Sequence, residues 1–157
     1  MIDNKEIYEK IGFIMHIAQT LEYNLSTIIA FSKIEKELRY RQLTKEEIKR
    51  KIDDIETIYD DLNRKPLGFS IELARETKIF TEEFLETLTK ALHSRNYYAH
   101  RFFKEDIKKK QINDNKEKVI NDLNNNITRL KNVNNELADD LSILKKRISE
   151  LIKSTQI

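Results

Sequence analysis

The chain contains no cysteine, and its 157 residues include only two glycines and one proline. Without cysteine it can form neither a disulfide nor a thiolate metal site, which agrees with a reducing cytoplasm. So few turn-forming residues exclude an all-β fold with its many tight turns, and we expect almost every segment to be helical. A net charge of +2 argues against a uniformly basic surface, so any affinity for nucleic acid requires a local patch.

Long apolar runs are also absent. No stretch approaches the roughly 18 apolar residues that a membrane span needs, and residues 1–6 are too charged for the apolar core of a signal peptide. We therefore expect a cytoplasmic protein without membrane contact. With 39% hydrophobic residues, the chain can bury one good core, which predicts one domain with an appendage.

Helical periodicity is what the sequence has in abundance. A first helix is expected from about Asn4 to Lys36, because apolar residues recur there every three or four positions. A capping-box pattern at 44–47 predicts the start of a second helix that buries one stripe as far as Leu62. The stripe of the first helix consists of Ile7, Ile11, Ile14, Ala18, Leu21, Leu25 and Ile28.

The middle of the chain predicts a turn and two more helices. The turn lies in residues 63–70, which contain the only proline. Ser70 is expected to cap a short helix ending near Thr77, and Thr81 to begin a helix that ends near Lys104. The whole pattern predicts an all-α, antiparallel up-and-down helical bundle over residues 1–111, with about four helices plus a short one.

Residues 112–157 have a different composition and predict a long C-terminal coiled-coil helix. β-branched residues at most a positions, Leu at every d position and a single Asn at a favour a parallel two-stranded coil, which would make this segment a dimerisation element. The alternative is that the long helix folds back on its own bundle. The a positions are Ile120, Ile127, Asn134, Leu141 and Ile148, and the d positions are Leu123, Leu130, Leu137, Leu144 and Leu151.

Two charged residues interrupt apolar stripes. Arg95 lies within about 60° of every residue in the stripe of its helix, at about 100° per residue, and Glu22 interrupts the stripe of the first helix. An unpaired buried Arg would be costly, so Arg95 must meet a carboxylate or open onto a cleft. Pairing of Arg95 with Glu22 explains both residues. The stripe around Arg95 consists of Phe84, Leu88, Ala91, Leu92, Tyr98, Ala99 and Phe102.

The segment Arg95-Asn96-Tyr97-Tyr98-Ala99-His100 resembles the R-x4-6-H motif of HEPN domains, with Asn96 as the polar residue that often follows the Arg. HEPN domains are small antiparallel helical bundles with the motif late in the domain, and the resemblance covers roughly residues 5 to 105. It implies a metal-independent endoribonuclease, toxin-like or of an anti-phage defence type, that acts as a homodimer with a composite site at the dimer interface. An antitoxin or another regulatory protein is a possible partner.

The residue types suit RNA cleavage by attack of the 2′-hydroxyl on the adjacent phosphate. His100 can act as base or acid. Arg95 can hold the phosphate, and Asn96 can orient either the imidazole or the phosphate. On one straight helix Arg95 and His100 point about 140° apart, so either the helix distorts or two protomers contribute, as the resemblance implies.

Residues near the motif are candidates for RNA binding. Tyr97 can stack on a base, and Arg101 with Lys104 can begin a basic rim that attracts the phosphodiester backbone. The same basic run is equally consistent with an ordinary solvated helix end. Several HEPN toxins carry a Tyr two residues after the motif His, where a partner nucleotidyltransferase can modify it. This chain has Phe102 there.

Neither a metal site nor another cofactor is expected. His93 lies on the same side as Asn96 and His100, but no Asp or Glu joins them at a neighbouring helical step. The alternative to an enzyme is a non-catalytic, dimeric helical interaction module. In that case the Arg95–Glu22 pair is structural and the coiled coil recruits partners.

Overall fold

The computed structural model describes residues 4–154, and every regular element in that range is an α-helix. The all-α prediction is therefore confirmed. The eight helices are α1 (Lys5–Leu38), α2 (Lys45–Asp53), α3 (Ile55–Arg64), α4 (Leu67–Glu76), α5 (Glu82–His100), α6 (Phe102–Lys109), α7 (Gln111–Asp114) and α8 (Lys116–Ser154).

Helix α1 is the central element of the bundle. Its first half buries one stripe, as the spacing predicts, but from Leu25 to Ala30 six consecutive residues are buried. Consecutive helical residues point in all directions around the axis, so the middle of α1 is enclosed on every side. Helices α3, α5 and α8 all pack against it.

Polar caps explain where two of the helices begin. The Thr44 side chain accepts a hydrogen bond from the Glu47 backbone N–H, and the Thr44 N–H donates to the Glu47 carboxylate, which completes the predicted capping box. Thr81 caps α5 by accepting from the Phe84 N–H at 3.1 Å. The expected cap at Ser70 was wrong, because α4 begins at Leu67 directly after Pro66 and Ser70 is buried within it.

Two predicted helices are shorter than expected. The second is divided at Asp54 into α2 and α3. The helix carrying the motif ends at His100 rather than near Lys104, because Arg101 leaves helical geometry with φ −121° and ψ −34°. Helix α6 starts at Phe102, so regular helical geometry is interrupted immediately after the motif histidine.

Helix α8 lies along α1 of the same chain and runs parallel to it. Three contacts between the helices show this, because the residue numbers of both partners increase together. The pairs are Lys10 with Asn124, Asn24 with Asn134, and Glu35 with Arg147. Helix α5 runs the other way, since Glu83 near its start is close enough to Glu136 of α8 to raise the pKa of that residue, whereas Ser94 near its end hydrogen-bonds Asn126. Successive long segments therefore alternate in direction, which brings α1 and α8 side by side and parallel.

The apolar stripe of α8 is buried inside this chain rather than between two chains. Leu123, Leu130 and Leu137 have no exposed surface, and Asn134, expected to fix the register of a dimer, instead accepts a hydrogen bond from Asn24 at 2.8 Å. The structure thus has the fold-back alternative. The remaining a and d residues also belong to or pack on the same hydrophobic cluster, and they are Ile120, Ile127, Leu141, Leu144, Ile148 and Leu151.

The physical reason for this difference is the length of α1. Its 34 residues present a continuous apolar surface that matches most of the 39 residues of α8. A heptad stripe specifies that a partner helix is needed, and α1 supplies it without a second chain. Residues 112–154 consequently complete the core of the bundle. The dimerisation role predicted for the stripe would expose leucines that α1 now covers.

Candidate functional site

An open cleft of about 720 Å³ lies where α5 passes the end of α3. Helix α1 contributes Glu22 to it, and α5 contributes the residues of the motif. The opposite rim is the turn between α3 and α4, which contains the only proline. The lining includes Glu22, Asn63, Pro66, Ser70, Arg95, Asn96, Tyr97, His100 and Arg101.

The Arg95 guanidinium meets the Glu22 carboxylate within this cleft. Arg95 Nε lies 3.4 Å from Glu22 Oε1, and the two side chains are 18% and 8% exposed, respectively. The pair predicted from two interrupted stripes therefore forms. Because α1 and α5 cross at this point, each helix places its one misplaced charge against that of the other.

Two amide side chains orient the outer edge of the same guanidinium. Arg95 Nη1 donates to Asn96 Oδ1 at 2.8 Å, and Nη2 donates to Asn63 Oδ1 at 3.1 Å. Asn63 is near the C-terminal end of α3, so three separate helices fix the position of one planar cation. An amide oxygen is a neutral acceptor, which leaves the Arg95 charge only partly compensated on this side.

The ion pair is close but leaves two buried atoms without hydrogen bonds. Arg95 Nε and Glu22 Oε2 have no hydrogen-bond partner within the described residues. Their charges attract at this distance, yet the orientation of the N–H does not make a hydrogen bond. Buried polar atoms are rarely left this way. The site is therefore held together at an energetic cost.

Burial raises the pKa of Glu22, and the nearby Arg95 charge lowers it by less. The net direction is upward, so removal of the carboxylate from water outweighs its attraction to the guanidinium. The cleft thus contains a carboxyl group that gains a proton more readily than an exposed glutamate does.

His100 is the last residue of α5 and lines the same cleft. Its side chain is exposed, and it forms neither a hydrogen bond nor an ion pair within residues 4–154. Helical geometry persists through His100, so the angle of about 140° between Arg95 and His100 remains. One edge of the cleft therefore carries a fixed guanidinium, and another carries an exposed imidazole that is free to contact a ligand.

Tyr97 is more constrained than the sequence indicates. Its hydroxyl donates to Glu105 Oε2 at 3.0 Å, and its ring packs edge-on against Tyr98 and Phe102. Burial, together with this hydrogen bond, raises the pKa of Tyr97 to about 12, so the phenol is protonated at neutral pH and cannot act as a base. The ring still lines the cleft.

The cleft gathers most but not all of the predicted residues. Arg95, Asn96, Tyr97, His100 and Arg101 line it, whereas Lys104 lies outside its lining on the exposed surface of α6. The break at Arg101 separates Lys104, which lies on α6, from the motif on α5. Lys104 therefore remains a candidate for the approach of a polyanion, not for contact inside the cleft.

Sequence reasoning missed the contribution of the α3–α4 turn. Asn63, Lys65 and Pro66 form one rim of the cleft, and Asn63 hydrogen-bonds Arg95 directly. The one available signal was the concentration of Asn, Arg, Lys and Pro at the only strong turn in the chain. Which helix end this turn would face depends on tertiary packing.

The described part of the chain contains no group of three or more His, Asp or Glu side chains placed to hold a metal ion. Every helix between residues 4 and 154 is too short or too polar to cross a bilayer. The chain matches no protein-family model, and comparisons with curated proteins and with solved structures also give no match.

Proposed function

We propose that this protein is a metal-independent endoribonuclease of HEPN type, toxin-like or part of a phage defence. One observation carries the proposal. A guanidinium oriented by Glu22, Asn63 and Asn96 shares an open cleft with the unpartnered His100 imidazole. The R-x4-6-H resemblance supplies the reaction, and the cleft supplies room for an RNA strand that passes both groups.

The chemistry requires a base, an acid and a cation. The base takes the proton from the 2′-hydroxyl, the O2′–P bond forms, and the P–O5′ bond breaks as the acid protonates O5′. His100 fills one of the two proton-transfer roles. Arg95 stabilises the negative charge that accumulates on the phosphoryl oxygens through paired N–H donors.

The second proton-transfer group comes from a second protomer in this proposal. Arg95 and His100 diverge around α5, so one chain presents them poorly to the same phosphorus. A homodimer with its two clefts facing each other supplies a second His100. The exposed position of His100 at the end of α5 suits such an arrangement.

Any regulatory protein partner is of a different kind from a nucleotidyltransferase that modifies a tyrosine. The residue two positions after His100 is Phe102, which is 3% exposed and packs against Tyr97 and Tyr98. It has no hydroxyl, and its ring is inaccessible. An antitoxin, if present, would act by covering the cleft or by preventing dimer formation.

The test is cleavage of a mixed set of labelled RNAs, structured and unstructured, in EDTA. Wild type is expected to leave 2′,3′-cyclic phosphate ends, and His100→Ala to lose about 10²–10⁴-fold in rate, the range for one positioned acid or base. His16→Ala is the matched control, because His16 is also an exposed helical histidine but lies on α1 outside the cleft. Absence of cleavage by folded, dimeric wild type would refute the nuclease.

The second candidate function is a non-catalytic helical interaction module. The observation that favours it is that the Arg95 guanidinium already has partners within the chain, namely Glu22, Asn96 and Asn63. In that case the pair fixes the crossing of α1 and α5, and the exposed surface binds other proteins. Its discriminating feature is that substitution of Arg95 changes stability while no RNA is cleaved by any variant.

A further inference from the structure

A second cleft, of about 480 Å³, lies on the other side of the α5 ridge, between α5 and α8. We call it the amide cleft, and define it by Ser94, Asp122, Asn125, Asn126 and Arg129 together with the ridge residues. The ridge consists of His93 and Tyr97, one helical turn apart, and both of these side chains line both clefts. A strand bound beside Arg95 can therefore cross the ridge directly into the amide cleft.

The floor of the amide cleft is fixed by hydrogen bonds. Asn126 Oδ1 accepts from Ser94 at 2.7 Å, and Asn126 Nδ2 donates to the Tyr98 hydroxyl at 3.1 Å and to the Asp122 backbone carbonyl at 2.8 Å. Both donors and one acceptor position of this amide are thus used within the chain. Asn126 shapes the cleft and has little capacity left for a ligand.

The groups left for a ligand have a defined pattern. The side chains of Asp122 and Asn125 form no hydrogen bond or ion pair within residues 4–154. Arg129 reaches Ser94 and Asn126 only at 3.5 Å, the outer limit of a hydrogen bond. The cleft therefore offers a carboxylate that accepts two hydrogen bonds, beside an amide and a guanidinium that donate.

We propose that the amide cleft is a nucleobase subsite that selects guanine next to the scissile phosphate, an inference that rests on the proposed ribonuclease function. Asp122 offsets the charge of Arg129, so the cleft has no excess positive charge to hold a phosphate, and a base rather than the backbone is the fitting occupant. Guanine alone among the four bases presents two adjacent donors, N1–H and the N2 amino group, which match the two carboxylate oxygens. Its O6 and N7 accept from Arg129 in the pairing that is commonest for guanine.

The other bases fit this pattern less well. Adenine has an acceptor, N1, where guanine has a donor, and cytosine has the acceptor N3 beside its amino group. Uracil has a single N–H between two carbonyl oxygens. The ridge ring of Tyr97 offers every base an apolar surface, so it contributes affinity without selection.

Binding is tested separately from cleavage, with full-length protein and the 2′-O-methyl pentamers UUGUU and UUAUU, which cannot undergo 2′-hydroxyl attack. By fluorescence anisotropy, wild type is expected to bind UUGUU at least about 5-fold more tightly than UUAUU, the lower range for one bidentate base contact. Asp122→Asn replaces one acceptor by donors, and it should remove that preference. Asp139→Asn, a matched control on an exposed part of α8, should keep it.

The outcomes separate the subsite from the nuclease. If wild type discriminates guanine and Asp122→Asn does not, the subsite stands even if no RNA is ever cleaved. Equal binding of the two pentamers, or an unchanged preference in Asp122→Asn, would overturn the subsite even if cleavage is observed. If wild type cleaves mixed RNA, guanine must be enriched at one position beside the cut, and this enrichment must disappear in Asp122→Asn.

Discussion

The α8-facing and α5-facing sides of α1 differ in how completely their polar groups are hydrogen-bonded. Toward α8, Asn24 hydrogen-bonds Asn134, and Glu35 receives two hydrogen bonds from Arg147 at 2.9 and 3.2 Å. Toward α5, Glu22 and Arg95 approach each other but leave Glu22 Oε2 and Arg95 Nε without hydrogen bonds. Both sides belong to the same helix, so the difference does not come from how well this segment forms a helix.

A structural interface and a ligand site differ in this respect. The α1–α8 interface combines fully buried leucines with satisfied polar pairs, which is how stable interfaces are built. In the Arg95 cleft, two largely buried charges are incompletely hydrogen-bonded, which costs free energy. Charged groups in such surroundings are concentrated at functional sites. Stability should therefore depend most on the first region, and ligand binding on the second.

The largest effect on stability is expected in the α1–α8 interface. Leu130→Ala removes a fully buried side chain that α1 covers, and should lower the free energy of unfolding by about 2–5 kcal/mol. Ile143→Ala is the matched control, since Ile143 is on the same helix but 56% exposed, and should change it by less than about 0.5 kcal/mol. Urea denaturation measures both.

The same experiment distinguishes the fold-back helix from an intermolecular coil. If α8 packs on α1 of the same chain, this interface does not make the denaturation midpoint of wild type depend on protein concentration. A midpoint that rises with concentration, together with loss of the dimer in Leu130→Ala, would mean that the leucine stripe joins two chains.

An intermediate effect is expected at the ion pair. Arg95→Met leaves the Glu22 carboxylate buried without its cation, and should cost about 1–3 kcal/mol, the range for an uncompensated buried polar group. The double variant Glu22→Gln with Arg95→Met removes both charges, and should recover part of that loss. The recovered part measures the coupling between the two residues.

Activity distinguishes the two proposed functions in these variants. If the protein is the proposed nuclease, Arg95→Met and the double variant both lose RNA cleavage. The double variant loses it even though it regains part of the stability. Recovery of cleavage in the double variant would show that Arg95 acts only by neutralising Glu22. Cleavage that is undetectable in wild type, with a clear coupling energy, would favour the interaction module.

The smallest effect is the pH dependence that Glu22 contributes. Because its pKa is raised in the fold, the folded chain holds this proton at pH values where the unfolded chain, with a pKa near 4.5, has released it. The Glu22 contribution to stability is therefore fully present below pH 4.5 and decreases as pH rises through the raised folded pKa. Glu37 and Glu47, with lowered pKa, contribute in the opposite direction.

Glu22→Gln isolates this contribution. Urea denaturation between pH 4 and 7 measures the free energy of unfolding of wild type and of Glu22→Gln. As pH rises, wild type should become less stable relative to Glu22→Gln. Glu86→Gln, an exposed substitution on α5, should give a flat difference. If wild type instead becomes more stable relative to Glu22→Gln as pH rises, the charge of Arg95 more than offsets the effect of burial on the pKa of Glu22.

Most of the helical content, and part of the cleft, could be predicted from the sequence. Capping residues Thr44 and Thr81 begin helices as expected, because a cap involves only residues within one turn. The pairing of Glu22 with Arg95 could be inferred because a charge in an apolar stripe requires a partner. The contribution of Asn63 could not, since an Asn beside a turn requires no buried partner, and only tertiary packing brings it to Arg95.

By itself, the sequence determined that the chain is helical, that its C-terminal stripe must be buried by another helix, and that Arg95 and Glu22 each need an opposite charge. These follow from periodicity and from the cost of burying charge, both of which are local. Tertiary structure alone decided that α1 covers α8, that the α3–α4 turn closes the Arg95 cleft, and that His93 and Tyr97 divide it from the amide cleft. A stripe specifies what kind of surface it needs, whereas only the packing of the whole chain selects which surface that is.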